Sequence, residues 1–194
     1  MKERILVTGG TGYIGSHTVV ELQNSGYDVV IVDNLSNSSA DVVDNIEKVS
    51  GIRPAFEKLD CLDLEGMDKL FTKYPGIKGI IHFAASKAVG ESVQKPLLYY
   101  RNNIDSLLTL MELMPRYGVD ALVFSSSCTV YGQPDVLPVD ENAPIKPAMS
   151  PYGNTKQINE EIIRDTIYSG VPYKAIILRY FNPIGAHPTA LLGE

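Results

Sequence analysis

The sequence is poor in the residues that build metal centres and disulfide frameworks. Its only cysteines, Cys61 and Cys128, lie far apart, and its three histidines, His17, His82 and His187, form no HxxxH or HExxH pair. We therefore expect reduced thiols and no bound metal. Long apolar runs are missing as well. None approaches the roughly 18 residues a membrane helix needs, and the mean hydropathy is −0.01. The opening stretch reaches Gly9 after only three apolar residues, Ile5, Leu6 and Val7, too few for a signal-peptide core. A cytoplasmic, membrane-free protein is the expectation. Positive charge is also scarce: 17 Lys+Arg against 23 Asp+Glu leave −6, so no overall field draws in nucleic acid.

What is present is a rhythm. Short apolar runs at Arg4–Thr8, Val29–Asp33, Ala55–Leu59, Gly79–Ala84, Ala121–Ser125 and Tyr173–Leu178 read as strands apolar on both faces, as in a covered parallel sheet. Helical spacing fills the gaps at Gly12 to Ser25, Ser38 to Ser50, Leu64–Tyr74, Leu97–Tyr117 and Pro151–Tyr168. Ser38-x-x-Asp41 looks like a capping box opening the second helix. The alternation predicts an α/β fold, a doubly wound parallel sheet of Rossmann type with helices on both faces. At about 150 residues per domain, 194 residues make one sizeable core. Five prolines between Pro134 and Pro151 exclude helix or central strand there and predict a long loop near the carboxyl ends of the strands.

Three motifs carry chemistry. Thr8-Gly9-Gly10-Thr11-Gly12-Tyr13-Ile14-Gly15 lies between the first strand and the first helix. Glycines at 9, 12 and 15 permit a tight turn, close approach of a pyrophosphate and close helix packing, and the helix start offers free N–H groups. Asp33, 18 residues beyond Gly15, stands where a carboxylate would bond the adenosine ribose and repel a 2′-phosphate. NAD is thus expected over NADP. Second, Tyr152-Gly153-Asn154-Thr155-Lys156 places a phenol and an ammonium on one helix face, just after an expected Ser150 cap and a Pro151 start. A free phenol ionises near pH 10, so service as a base near neutrality needs about 4 kcal/mol of help, which Lys156, the helix dipole and a nicotinamide cation could share. A second YxxxK, Tyr74 to Lys78, is broken by Pro75-Gly76 and set aside. Third, Ser125-Ser126-Ser127 closes the fifth strand, where a hydroxyl could hold a substrate oxygen. No His or Asp is placed to activate a serine, so hydrolysis is not indicated.

The glycine loop and the ordered set Ser127, Tyr152 and Lys156 resemble the extended short-chain dehydrogenase/reductase superfamily. Within it, the stretches His82 to Ser92 and Arg179 to Pro188 are similar to its nucleotide-sugar 4-epimerases. A 4,6-dehydratase would carry an Asp-Glu pair where Cys128-Thr129 stands. The resemblance implies NAD-dependent epimerisation at C4 of a UDP-hexose through a 4-keto intermediate, with Ser127, Tyr152 and Lys156 catalytic. It further implies cofactor contacts from Gly9, Gly12, Tyr13, Ile14, Gly15, Asp33, Asn34, Asn37, Ser38, Asp60 and Cys61. Phe83, Ala84, Ala85, Lys87, Asn102, Tyr152, Lys156 and Tyr180 would line the nicotinamide side. Lys87, Ser127, Tyr152 and Asn182 would face the substrate. A homodimer through the helices Leu97–Tyr117 and Pro151–Tyr168 is implied as well. The family continues into a smaller C-terminal lobe, so the expectation is that these 194 residues bind NAD without turnover. Another epimerase or reductase for nucleotide sugars, or a catalytically idle NAD-binding regulatory protein, stays open at this stage.

Overall fold

The computed structural model describes residues 2–193. Six parallel strands form one sheet in the order β3-β2-β1-β4-β5-β6. They are β1 Arg4–Thr8, β2 Asp28–Asp33, β3 Ala55–Lys58, β4 Ile77–His82, β5 Ala121–Ser127 and β6 Lys174–Tyr180. The helices are α1 Tyr13–Asn24, α2 Asp41–Ser50, α3 Leu64–Lys73, α4 Val89–Gln94, α5 Pro96–Tyr117 and α6 Pro151–Tyr168. The strand order reverses between β1 and β4, which opens a crevice at the carboxyl ends of these strands, the usual ligand position in such sheets.

The core falls into two layers, one on each face of the sheet. Leu6, Val30, Ile80, Leu122 and Phe124 meet α3, α5 and α6 through Phe71, Leu107, Leu110 and Ile163. On the other face Val7, Val29 and Ile31 meet α1 and α2 through Val19, Val20 and Ile46. Alternate residues of β1 and β2 therefore serve opposite layers, which is why these strands read as unbroken apolar runs.

Several boundaries differ from expectation. Ser38 does not cap α2, which starts at Asp41 after Ala40 without any side-chain cap. Its hydroxyl instead donates to Asp33 Oδ1 at 3.2 Å and meets Thr11 Oγ1 at 2.8 Å, because β2 ends close by and its buried carboxylate outcompetes the helix for that hydroxyl. β4 starts two residues early and stops at His82, leaving Phe83 and Ala84 in the turn. β5 runs through Ser127, since β6 continues alongside it to Tyr180. The short α4 has too few apolar residues for a periodic signal. The chain end also does more than the sequence suggests. Ala186 pairs with Gly193, and Leu192, only 4% exposed, plugs the layer between α1 and α2. Among the described residues no helix is long and apolar enough to cross a membrane, and no group of three or more His, Cys, Asp or Glu could hold a metal ion.

Candidate active site

The glycine loop turns directly from β1 into α1. Gly9 has φ +68°, and a Cβ there would lie 2.7 Å from the backbone nitrogen of Ala84. At Gly15 a Cβ would sit 2.2 Å from the Gly9 carbonyl oxygen, so this glycine lets α1 press onto the loop. Gly12 differs, its nearest neighbour being that same oxygen at 3.3 Å. It is the N-cap of α1 and provides no side-chain acceptor. The N–H groups of Tyr13, Ile14 and Gly15 thus begin the helix without a side-chain cap, a natural seat for a phosphate. A Cβ built on Gly185 would reach the Tyr13 hydroxyl at 3.7 Å, so the chain end passes over this rim.

At the tip of β2 the Asp33 carboxylate is buried. Its Oδ2 accepts the Thr11 N–H at 3.2 Å, and its Oδ1 accepts the Leu35 N–H at 2.9 Å and the Ser38 hydroxyl. Asp33 therefore ties the β2 turn to the glycine loop. Beside it Asn34 donates to Asp60 Oδ2 at 3.0 Å, while Asn37 is exposed. Cys61 is buried beneath Asp60, and burial, with Asp60 and Asp33 adding to it, pushes its thiol up to about 12. It is a packed, inert thiol within the core layer that also holds Val32 and Met67.

β4 ends at His82, whose Nδ1 lies 2.7 Å from Thr8 Oγ1 on β1. Burial, and secondly the Lys156 charge, push this imidazole down to about 3, so it is neutral at physiological pH. Phe83, Ala84 and Ala85 form the half-buried turn that follows. Lys87 lies on its exposed side. Asn102 on α5 donates to Ser86 Oγ at 3.1 Å. Asn103, its neighbour, was not singled out by the sequence. Buried, it accepts from Ser86 N at 2.8 Å and donates to Ser86 O and to Thr155 Oγ1 on α6. Its neighbour in the Asn102-Asn103 pair masks it in sequence, and only the tertiary fold shows that it pins the β4 turn to α6.

α6 begins as expected. Ser150 Oγ accepts the Gly153 N–H at 3.1 Å, and Pro151 occupies the first helical position. Tyr152 consequently lies in the first turn, facing the end of β5. Burial raises its phenol above the ordinary range, while a hydrogen bond with Ser127 pulls it partly back. Lys156 is 4% exposed and donates to the Ser125 carbonyl at 2.7 Å. Its amine lies 4.9 Å from the Phe124 ring centre and 5.8 Å from that of Tyr152. Burial alone pushes it down to about 8. Without a nicotinamide cation, one of the three sources of help expected from the sequence, the phenol stays above its ordinary range. Desolvation is the largest influence on the phenol, ahead of the Ser127 hydrogen bond, while the lysine is engaged by the Ser125 carbonyl.

Tyr180 closes β6 opposite Ser127 and faces Phe83, ring centres 6.4 Å apart. Asn182, just beyond, is exposed. Tyr74 and Lys78, the discarded second pair, do part company: Tyr74 donates to Glu57 and Lys78 pairs with Asp120.

A glycine loop at a helix start, a buried Asp at the second strand tip, and Ser, Tyr and Lys at the fifth gather along the carboxyl ends of one parallel sheet, the arrangement expected of the short-chain dehydrogenase/reductase kind. The chain belongs to the NAD dependent epimerase/dehydratase family, whose model matches residues 5–192. It is 51% identical to UDP-glucose 4-epimerase 2 of Arabidopsis thaliana, over 100% of this chain and 56% of that protein. Identity to the UDP-glucose 4-epimerase of Bacillus subtilis is 50%, over 98% of this chain and 56% of that one. The structure superposes with a TM-score of 0.95 on the Bifidobacterium longum UDP-glucose 4-epimerase solved with NAD+ and UDP, at 44% identity, covering 98% of this chain and 57% of that one. The chain thus spans a little over half the length of these relatives.

Proposed function

We propose that this chain carries the NAD-binding and catalytic half of an epimerase that inverts C4 of a UDP-hexose. The observation that carries the reading is the convergence of Ser127, Tyr152 and Lys156 at the carboxyl end of β5, beside an uncapped glycine-loop helix. The uncapped N–H groups of α1 and the uncrowded Gly12 fit a dinucleotide pyrophosphate. Asp33, Asn34, Asn37, Ser38, Asp60 and Cys61 would surround the adenosine. Phe83, Ala84, Ala85, Lys87, Asn102 and Tyr180 would line the nicotinamide end. NAD, when bound there, supplies a reversible acceptor for the electrons and hydrogen of C4, together with a positive ring.

Within that site Tyr152 removes the proton of the sugar 4-hydroxyl. The Ser127 hydroxyl holds the same oxygen, and Lys156 turns from the Ser125 carbonyl toward the ribose and the phenolate. The phenol's raised value means that its ionisation depends on positive charge brought near it, so base strength is coupled to cofactor binding. Once the planar 4-keto intermediate has turned over, so that C4 regains its hydrogen on the opposite face, Tyr152 returns the proton to the 4-oxygen. Asn182 would hold the diphosphate of the sugar nucleotide.

Exposed apolar side chains on α5 and α6, with Leu97 at 82% and Tyr168 at 94%, support pairing of two copies through these helices. Further hexose contacts would come from the portion of the relatives beyond the match, so these 194 residues alone should bind NAD without turnover. Tyr152→Phe tests the assignment in a protein of the relatives' full length. Turnover should fall by about 10²–10⁴-fold while NAD still binds. Near-normal turnover would end the catalytic assignment.

A further inference from the structure

Tyr152, Lys156 and Glu160 recur every four residues and so form one stripe along α6. Each meets one of three consecutive serines of β5: Tyr152 meets Ser127, Lys156 meets the Ser125 carbonyl, and Glu160 meets the Ser126 hydroxyl. Only the last contact involves a carboxylate, and that side chain is 0% exposed. Its Oε1 accepts Ser126 Oγ at 2.6 Å and Arg179 Nε at 3.0 Å. Its Oε2 accepts Arg179 Nη2 at 2.8 Å and Arg164 Nη2 at 2.6 Å. Arg179 thus grips it at two points from β6, while its guanidinium carbon lies 4.8 Å from the Tyr131 ring centre. Two guanidinium groups and a hydroxyl on one buried carboxylate make a rigid junction between α6, β5 and β6, since bidentate Arg–carboxylate pairs fix both distance and orientation.

We propose that Glu160, through Arg179, is a positioning residue that sets where α6 lies along β5 and thereby holds the Lys156 amine dry against the Ser125 carbonyl. The proposal rests on the reading of Tyr152 and Lys156 as the catalytic pair. A helix anchored at Ser150 and again at Glu160 brackets both side chains between two fixed points. Loosening the second point lets the middle of the stripe lift from the strand and admits water to the amine. The groups facing that amine are His82 from β4, neutral through burial, and Tyr152 from its own helix.

The test follows the ionisation of Lys156 in the 194-residue chain by ¹³C NMR of labelled lysine, the signal being assigned by its loss in Lys156→Met. In the unaltered protein the midpoint should lie near pH 8. Glu160→Gln and Arg179→Lys should each raise it by about one pH unit, a tenfold drop in the neutral fraction. The sign discriminates. Loss of the Glu160 negative charge by itself would lower the midpoint, and Arg179→Lys leaves the net charge unchanged. A midpoint that stays put in folded variants overturns the proposal, as does one that falls. If Glu160→Gln does not fold, Arg179→Lys decides alone. Failure of both to fold would make the pair a structural brace and also overturn it. NAD is absent from this measurement, so its failure leaves the function reading standing. That reading fails separately if Lys156→Met binds NAD as tightly as the unaltered chain.

Discussion

Gly12 and Gly15 lie three residues apart in one loop, yet alanine at each should do different damage. At Gly15 the added carbon would meet the Gly9 carbonyl oxygen at 2.2 Å and the Gly10 Cα at 2.9 Å, both main-chain atoms. Ordinary contact begins near 3.4 Å, so α1 must retreat by about 1 Å or the loop must deform. Overpacking of this kind costs about 1–3 kcal/mol or more. Alanine inside a helix returns about 1 kcal/mol. With backbone on both sides of the clash the steric cost wins, and a net loss of about 2 kcal/mol is expected. For a chain of this size that lowers Tm by about 4–8 °C. At Gly12 only one atom is near, at 3.3 Å, and the backbone angles of −75° and 175° suit alanine. Stability should fall by only about 0.5 kcal/mol, whereas the methyl group intrudes where a pyrophosphate would rest, so NAD affinity should drop at least tenfold. Denaturant titration and calorimetric NAD titration of both variants provide the check. Gly12→Ala that unfolds as readily as Gly15→Ala but binds NAD normally would refute the cradle, leaving the glycines as packing devices.

Other expectations follow from the buried charges. Asp33→Ala should narrow the preference for NAD over NADP by about 1–3 kcal/mol, and it should lower Tm because three donors lose their acceptor; equal affinities before mutation would remove the basis for the claim. Lys156→Met should make the protein more stable while removing function. Holding the amine near 8 instead of 10.5 costs about 3 kcal/mol at pH 7, and the lost bond to Ser125 returns about 1 kcal/mol, leaving a gain of about 2 kcal/mol in a denaturation experiment. His82 binds its proton only near pH 3 when folded, against 6.5 when unfolded. The unfolded chain therefore takes up the proton first as pH falls, and this residue's share of stability, complete above 6.5, should decline by about 2 kcal/mol between pH 7 and pH 5. Comparing denaturation of the unaltered chain and His82→Gln at both pH values isolates that share, and parallel losses in the two proteins would disprove it.

The local signals in this chain were strong because they arise from chemistry within a few residues. The strands β1 and β2 announce themselves as valine and isoleucine runs, the loop Gly9 to Gly15 as spaced glycines between strand and helix, and α6 as Ser150-Pro151 before an i, i+4 pair. Each needs only its neighbours to be read. What the sequence could not determine was decided by elements brought together over long separations. Ser38 looked like a helix cap until β2 delivered a buried carboxylate to it. Asn103, Glu160 and Leu192 owe their roles to distant partners: Ser86 and Thr155, Arg179 and Ser126, and the α1–α2 layer all lie 17 or more positions away in the chain. The ionisation of Tyr152 and Lys156 belongs to the same class. Spacing puts phenol and amine on one face, but burial against the end of β5, a property of the whole fold, sets the direction in which each titrates.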